Sequence, residues 1–182
     1  MKHSERITIN ALALLLGMFV FGSTVLAQGN PTLSDAEVAS AAVTANQIDI
    51  DFAAIAEEKS KNAQVLKFAQ TMANDHQAVI EQAVALVEKL GVTPKDNAVS
   101  QQLKADAEKT KQQLRSKSGK DFDKTYIDNE VAYHESVIAA VKNLLIPESE
   151  NAELRDLLKA VVPALEAHLE HAKMIQHEMS GK

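Results

Sequence analysis

The strongest constraint on this chain is a set of long stretches in which apolar residues recur at alternating steps of three and four, the spacing of a helix that buries one stripe. One stretch runs Ala69, Met72, His76, Val79, Ala83, Leu86, Leu90. A second runs Ile127, Glu130, His134, Val137, Val141, Leu144, and a third Leu154, Leu158, Val161, Leu165, His168, Ala172, Ile175, Met179. A fourth, nearer the amino terminus, runs Val38, Ala41, Ala45, Ile48, Phe52, Ile55. No single helix of this kind hides its stripe alone, so the stripes must face one another in a bundle. Composition agrees: 46% apolar residues with only 6 glycines and 4 prolines leaves little material for the tight turns of an all-β fold.

Punctuation divides the chain. Ser34 or Asp35 offers an N-cap, with Glu37 placed to answer Ser34 in a capping box, and a first helix is predicted from there to about Glu58. Lys59 to Asn62 is a polar break. A second helix then runs to Leu90, stopped by Gly91 with Pro94 beyond. Residues 97–117 carry a thin stripe of Leu103, Ala107, Thr110 and Leu114, which predicts a crossover helix lying on the bundle and ended by Gly119. A third bundle helix is expected from Lys120 or Asp121 to about Ile146, where Pro147 breaks the chain. A fourth follows from Asn151 to Glu178, kinked and not ended by Pro163. The domain reading is a leader over residues 1–27, a linker over 28–33 and one helical domain over 34–179.

The leader rests on Lys2 and Arg6, an apolar run from Ile7 to Phe21, and small residues before Val25, Leu26 and Ala27, the three parts of a signal peptide with the cut expected after Ala27. Its apolar core is short of the roughly 20 residues a membrane span needs, so no transmembrane segment is expected once it is removed. Periplasmic residence follows, with outer-membrane association as a variant of it. The absence of cysteine removes disulfides, thiolate ligands, thiol redox chemistry and lipid attachment at a cysteine. A net charge of -6 argues against nucleic-acid partners. The sequence is compatible with a homodimer and identifies no envelope partner.

The chemistry lies in the residues that interrupt the stripes. His76, His134 and His168 each face inward from a different helix, Glu130 lies one turn from His134, and Asp49 is within a modest rotation of the first stripe. All lie near mid-helix, so one layer of the bundle could gather them. Burying imidazoles with carboxylates is costly unless they find partners, and a cation is a partner for all of them. The donor set suits zinc, copper, iron or nickel, and not calcium or magnesium, which ask for oxygen. The metal reading therefore takes His76, His134 and His168 as principal ligands, with Asp49 or Glu130 completing the shell around a single zinc, copper or iron ion. The competing reading is a structural or stress-related interaction protein of the envelope whose histidines form a buried hydrogen-bond network with Asp49 and Glu130. An oxidative enzyme with an open metal position ranks third, and no catalytic residue is assigned. Asp75 is expected to point aside, His171 could join the layer, and His177 should be solvated. Tyr126, Tyr133, Phe52, Phe68 and Phe122 read as packing residues, and Met72, Met174 and Met179 as gap fillers. No phosphate loop or nucleophile elbow is present.

Several stretches carry a resemblance: Asp49-Ile50, Ile55-Ala56, Val65-Leu66-Lys67-Phe68-Ala69, Met72, Asp75-His76, then Gly119, Phe122-Asp123, Tyr126-Ile127, His134, Pro163, His168 and Ala172. Across nearly all of the mature chain these resemble the bacterial envelope family called domain of unknown function 4142, which is ferritin-like in fold and often labelled exported or outer-membrane. The resemblance implies an all-α, ferritin-like four-helix bundle with an additional crossover helix between its second and third helices. The family more often has glutamate where this chain has Asp49. True ferritins present a Glu-x-x-His pair on each of two helices, whereas here Glu130 precedes His134 by four residues and no second pair exists, which favours a mononuclear, histidine-rich site.

Overall fold

The computed structural model describes residues 32–181. The leader, residues 1–27, and residues 28–31 of the linker lie outside them. Helix α1 spans Asp35–Lys59, α2 Ala63–Leu90, α3 Ala98–Ser116 and α4 Gly119–Ala140, the last continuing through a π-helical turn, Val141–Leu145, and a final turn, Ile146–Glu148; α5 spans Ala152–Met179. There is no strand among the described residues. α1 pairs with α2 and α4 with α5, the two hairpins close into a bundle, and α3 crosses over with its narrow stripe against α1. This is the expected four-helix bundle with a crossover helix.

The helix ends follow local chemistry. Ser34 donates to the Glu37 carboxylate from its backbone N–H at 3.0 Å and from its hydroxyl at 2.8 Å, so the capping box forms as read. Asn62, Asn97 and Asn151 each accept backbone N–H groups of the helix that follows. Gly91 closes α2 in the left-handed conformation at φ 64, which a glycine adopts without a Cβ penalty. The connections are pinned to one another as well. Asp35 accepts the backbone N–H of Glu150 and Asn151, and the hydroxyl of Ser60 donates to Asp123 at 2.6 Å in a buried contact.

Two boundaries differ from the sequence reading. Gly119, with φ 55, opens α4 and does not close α3, which has already ended at Ser116. Pro147 does not break the third bundle helix, which runs past it to Glu148. A proline removes one helical hydrogen bond and crowds the carbonyl four residues back. The preceding turn has widened so that Ile146 N–H reaches Val141 O, and such a π turn is one of the ways a helix absorbs this kind of disruption. Pro163 lies within α5 without ending it, as expected.

The core has two parts. Toward the α1–α2 turn, Phe52, Phe68, Met72, Phe122, Tyr126 and Ile175 are buried in one cluster. Phe122 and Tyr126 stack, while Phe68 meets Tyr126 and Phe52 meets Tyr133 edge-on. Toward the other end, Leu33, Val38, Ala41, Val141, Leu145, Leu154 and Leu165 form a second cluster with no aromatic member. Met72 and Met179 pack as gap fillers, but Met174, read the same way, is exposed: its position on α5 falls on the outer face, opposite the Ala172 and Ile175 stripe. No helix among the described residues is long and apolar enough to cross a membrane.

Candidate metal centre

Between the two clusters lies a layer of Asp49 from α1, His76 from α2, Glu130 and His134 from α4, and His168 from α5, all of them buried. The helical periodicity that turns Ile48 and Phe52 inward also buries Asp49, whose exposure is 0%. The three imidazoles form a nearly equilateral triangle with ring centroids 5.4, 5.5 and 5.7 Å apart. The expected layer is therefore brought together complete.

Each imidazole is held from outside by one oxygen. His76 Nδ1 lies 2.7 Å from Asn46 Oδ1, His134 Nδ1 lies 3.0 Å from the backbone carbonyl of Glu130, and His168 Nε2 lies 2.9 Å from Asp75 Oδ2. A carbonyl or carboxylate oxygen only accepts, so each of these ring nitrogens carries the proton and donates. The tautomers are thereby set, and the lone pairs fall on His76 Nε2, His134 Nε2 and His168 Nδ1. Those three nitrogens are buried and have no hydrogen-bond partner in the protein, nor do the carboxylate oxygens of Asp49 and Glu130. Buried polar atoms without partners are rare in native proteins. An imidazole oriented through its far nitrogen by a carboxylate or carbonyl is the arrangement by which proteins present histidine to a metal.

Asp49 Oδ2 lies 3.4 Å from His76 Nε2 and 3.7 Å from His134 Nε2. Both separations are too long for a normal hydrogen bond. They are close to the roughly 3.3 Å that separates two tetrahedral ligands bound about 2.0–2.1 Å from one ion. Two overlapping triads offer ligand atoms within 4.8 Å of one another: His76, His134 and His168, and Asp49, Glu130 and His134. The donor chemistry thus fits a transition metal.

Burial also sets the electrostatics. It holds the carboxyl groups of Asp49 and Glu130 well above the usual carboxylate range, with Asp49 raising Glu130 further. Desolvation first, and then neighbouring imidazoles, pushes His76 down to about 3 and His134 down to about 4. In the metal-free chain His76 and His134 are accordingly neutral at pH 7, the protonation state that binds a metal.

Asp75 lies aside at the helix surface, half exposed, and from there hydrogen-bonds across to α5 and orients His168. One residue stands differently from its sequence reading. His171 does not join the layer but sets its ring against Phe68, 5.2 Å between centroids, since it lies nearly one turn beyond His168 toward the aromatic cluster. His177 is exposed, as expected. Asn46, one turn before Asp49 on α1, orients His76.

The layer also borders a chamber of about 540 Å³ that extends into the second cluster, with the unpartnered ring nitrogens and carboxylate oxygens closed off from its surface. Its other walls are mainly apolar, with Ala41, Ala45, Ala83, Val141, Leu158 and Leu165 among them and the aromatic rings of Phe52 and Tyr133 at the layer side. Asp49, His76, His134 and His168 face it, while Glu130 does not line it.

Fold and site together define a class: an all-α bundle with a buried three-histidine, two-carboxylate layer at the boundary between two cores. The chain belongs to the family described as domain of unknown function (DUF4142), whose model matches residues 22–175. Among solved structures it is similar in fold to a protein from Streptomyces coelicolor described as a secreted DUF305 protein, at TM-score 0.67 and 12% identity over 80% of this chain and 93% of that one. It is also similar to CopM in the Cu(II)-bound form, at TM-score 0.59 and 17% identity over 80% of this chain and 98% of that one. No curated protein matches the sequence.

Proposed function

We propose that this chain is an exported cell-envelope protein that binds one transition-metal ion in the histidine layer. His76 Nε2, His134 Nε2 and His168 Nδ1 are the principal ligands, Asp49 supplies a fourth, and Glu130 flanks the site beside Asp49. The leader over residues 1–27 delivers the domain over 34–179 to the periplasm, and the secreted description of the Streptomyces relative is in keeping with export. The carrying observation is the set of three inward ring nitrogens left with lone pairs and no partner, each fixed by an oxygen on its far side. Zinc, copper and iron all suit the donors. Copper is the first to test, since CopM, which shares the fold, is described as Cu(II)-bound.

A metal-free hydrogen-bond network is the weaker reading, because Asp49 stands too far from His76 and His134 to bond either. Metal content of untagged protein, measured by mass spectrometry, tests the choice. The expected result is close to one equivalent of metal in the wild type and almost none in a His76→Ala, His134→Ala variant. A wild-type protein that stays metal-free and keeps its melting temperature when zinc, copper and iron are added would overturn the proposal.

A further inference from the structure

We infer that the chamber is a binding site for a single uncharged hydrocarbon chain, such as that of a long-chain alcohol, held by packing and without a bond to the metal. The inference does not rest on the metal reading, because the unpartnered nitrogens and oxygens of the layer are closed off from the chamber surface. What the layer side offers a ligand is apolar. The rings of Phe52 and Tyr133 line it, and the Tyr133 hydroxyl is already engaged, donating to the Ala45 carbonyl at 2.8 Å.

The dimensions select a chain. On α1 the lining runs from Ala39 to Phe52 and on α5 from Leu154 to His168, each a length of about 20 Å at the rise of a helix. A volume of about 540 Å³ spread over that length leaves a mean cross-section of roughly 27 Å², the girth of one extended hydrocarbon chain. Ala41, Ala45 and Ala83 leave that space free because their side chains are a single methyl group. Native interiors hold few spaces larger than a water molecule, and those with apolar walls take apolar guests in preference to water. Charge sets the other end of the ligand. Among the described residues that line the chamber there is no lysine or arginine, whereas the exposed carboxylates Asp75 and Asp106 do line it. Asp106 is paired with Lys109, which lies outside the lining. A fatty-acid carboxylate would therefore lose water without gaining a cation, so the polar end of the ligand is uncharged.

The test titrates the full mature chain by calorimetry with 1-hexanol, 1-octanol, 1-decanol and 1-dodecanol, and with dodecanoate for comparison. One equivalent should bind, with affinity tightening by roughly fourfold per methylene group, and dodecanoate should bind about tenfold or more weakly than dodecanol. Ala83→Phe should lose dodecanol binding, whereas Val84→Phe, at an exposed position outside the lining, should bind as the wild type does. If Ala83→Phe fails to fold, Ala42→Leu, at a half-buried lining position, serves in its place. No binding, equal affinity along the series, dodecanoate as tight as dodecanol, or dodecanol binding unchanged in the filled variant overturns the inference. Each of those results leaves the metal reading standing, since metal content decides that separately.

Discussion

The two halves of the bundle on either side of the histidine layer are built from the same helices and solve the interior differently. Below it, Phe52, Phe68, Phe122 and Tyr126 interlock with Met72 and Ile175 and are almost fully buried. Above it, alanines and branched aliphatics leave a chamber of about 540 Å³. Large aromatic side chains supply most of the buried area in a small core, so the lower half carries the fold. The upper half is free to serve the site. The difference teaches that the polar layer is not a flaw in one continuous core but a boundary between a part packed with aromatic rings and a part that leaves a cavity between the helices.

The sharpest way to break this contrast is to remove an aromatic. Phe68→Ala should destabilise the protein by about 3–5 kcal/mol in denaturant unfolding, with the midpoint shifted. A loss below about 1 kcal/mol would show that the lower half does not carry the fold. The boundary layer comes next. With free copper or zinc at about 100 times its dissociation constant, wild-type stability should rise by about 2.7 kcal/mol by mass action, whereas His134→Ala should gain almost nothing in the same melt.

The layer also predicts a pH dependence that metal reverses. In the folded chain Asp49 keeps its proton until about pH 8, while its ordinary value is 3.8. The folded state binds the extra proton across that window, so stability falls as pH rises through it. His76 and His134, lowered from 6.5 to about 3 and about 4, act in the opposite sense and lose stability only as pH falls below 6.5. Between pH 6.5 and 8 the carboxylate contribution acts without opposition from these histidines. The melting temperature of metal-free protein should therefore drop across that interval, and Asp49→Asn should make the drop shallower, with Glu130, also raised by burial, supplying what is left. Metal should become more stabilising with rising pH, because its binding displaces protons. A wild-type melting temperature that is level across the interval would contradict the placement of Asp49.

The smallest effect is the most diagnostic of the chamber. Ala83→Leu should change stability by less than about 1 kcal/mol, while the same change at Ala53, buried in the packed half, should cost about 1–3 kcal/mol. Equal costs at the two positions would mean that the halves are packed alike.

Much of this was legible in the sequence, for reasons that individual residues show. The α2 boundaries follow from Asn62 and Gly91, and the seam of His76, His134 and His168 from spacing alone, because a period of 3.6 states which way a residue faces. It does not state how far apart two helices lie, so a seam alanine such as Ala83 looked the same whether it filled a core or bordered a chamber. Nor does it state which ring nitrogen points inward. That depended on Asn46, the Glu130 carbonyl and Asp75, groups on the margins of the stripes. The π turn before Pro147 is not legible because proline usually marks an end, whereas here Val141 and Leu145 are buried with Leu154 and Leu158 of α5 on the helix that runs through it.

X-ray absorption at the edge of the bound metal, on untagged full-length protein, tests the metal site most directly. The predicted spectrum shows three imidazoles and one carboxylate oxygen at about 2.0–2.2 Å, and it loses imidazole scattering in His168→Ala. A shell made of oxygen alone, unchanged by that substitution, would contradict the assignment of the histidine layer as the metal site.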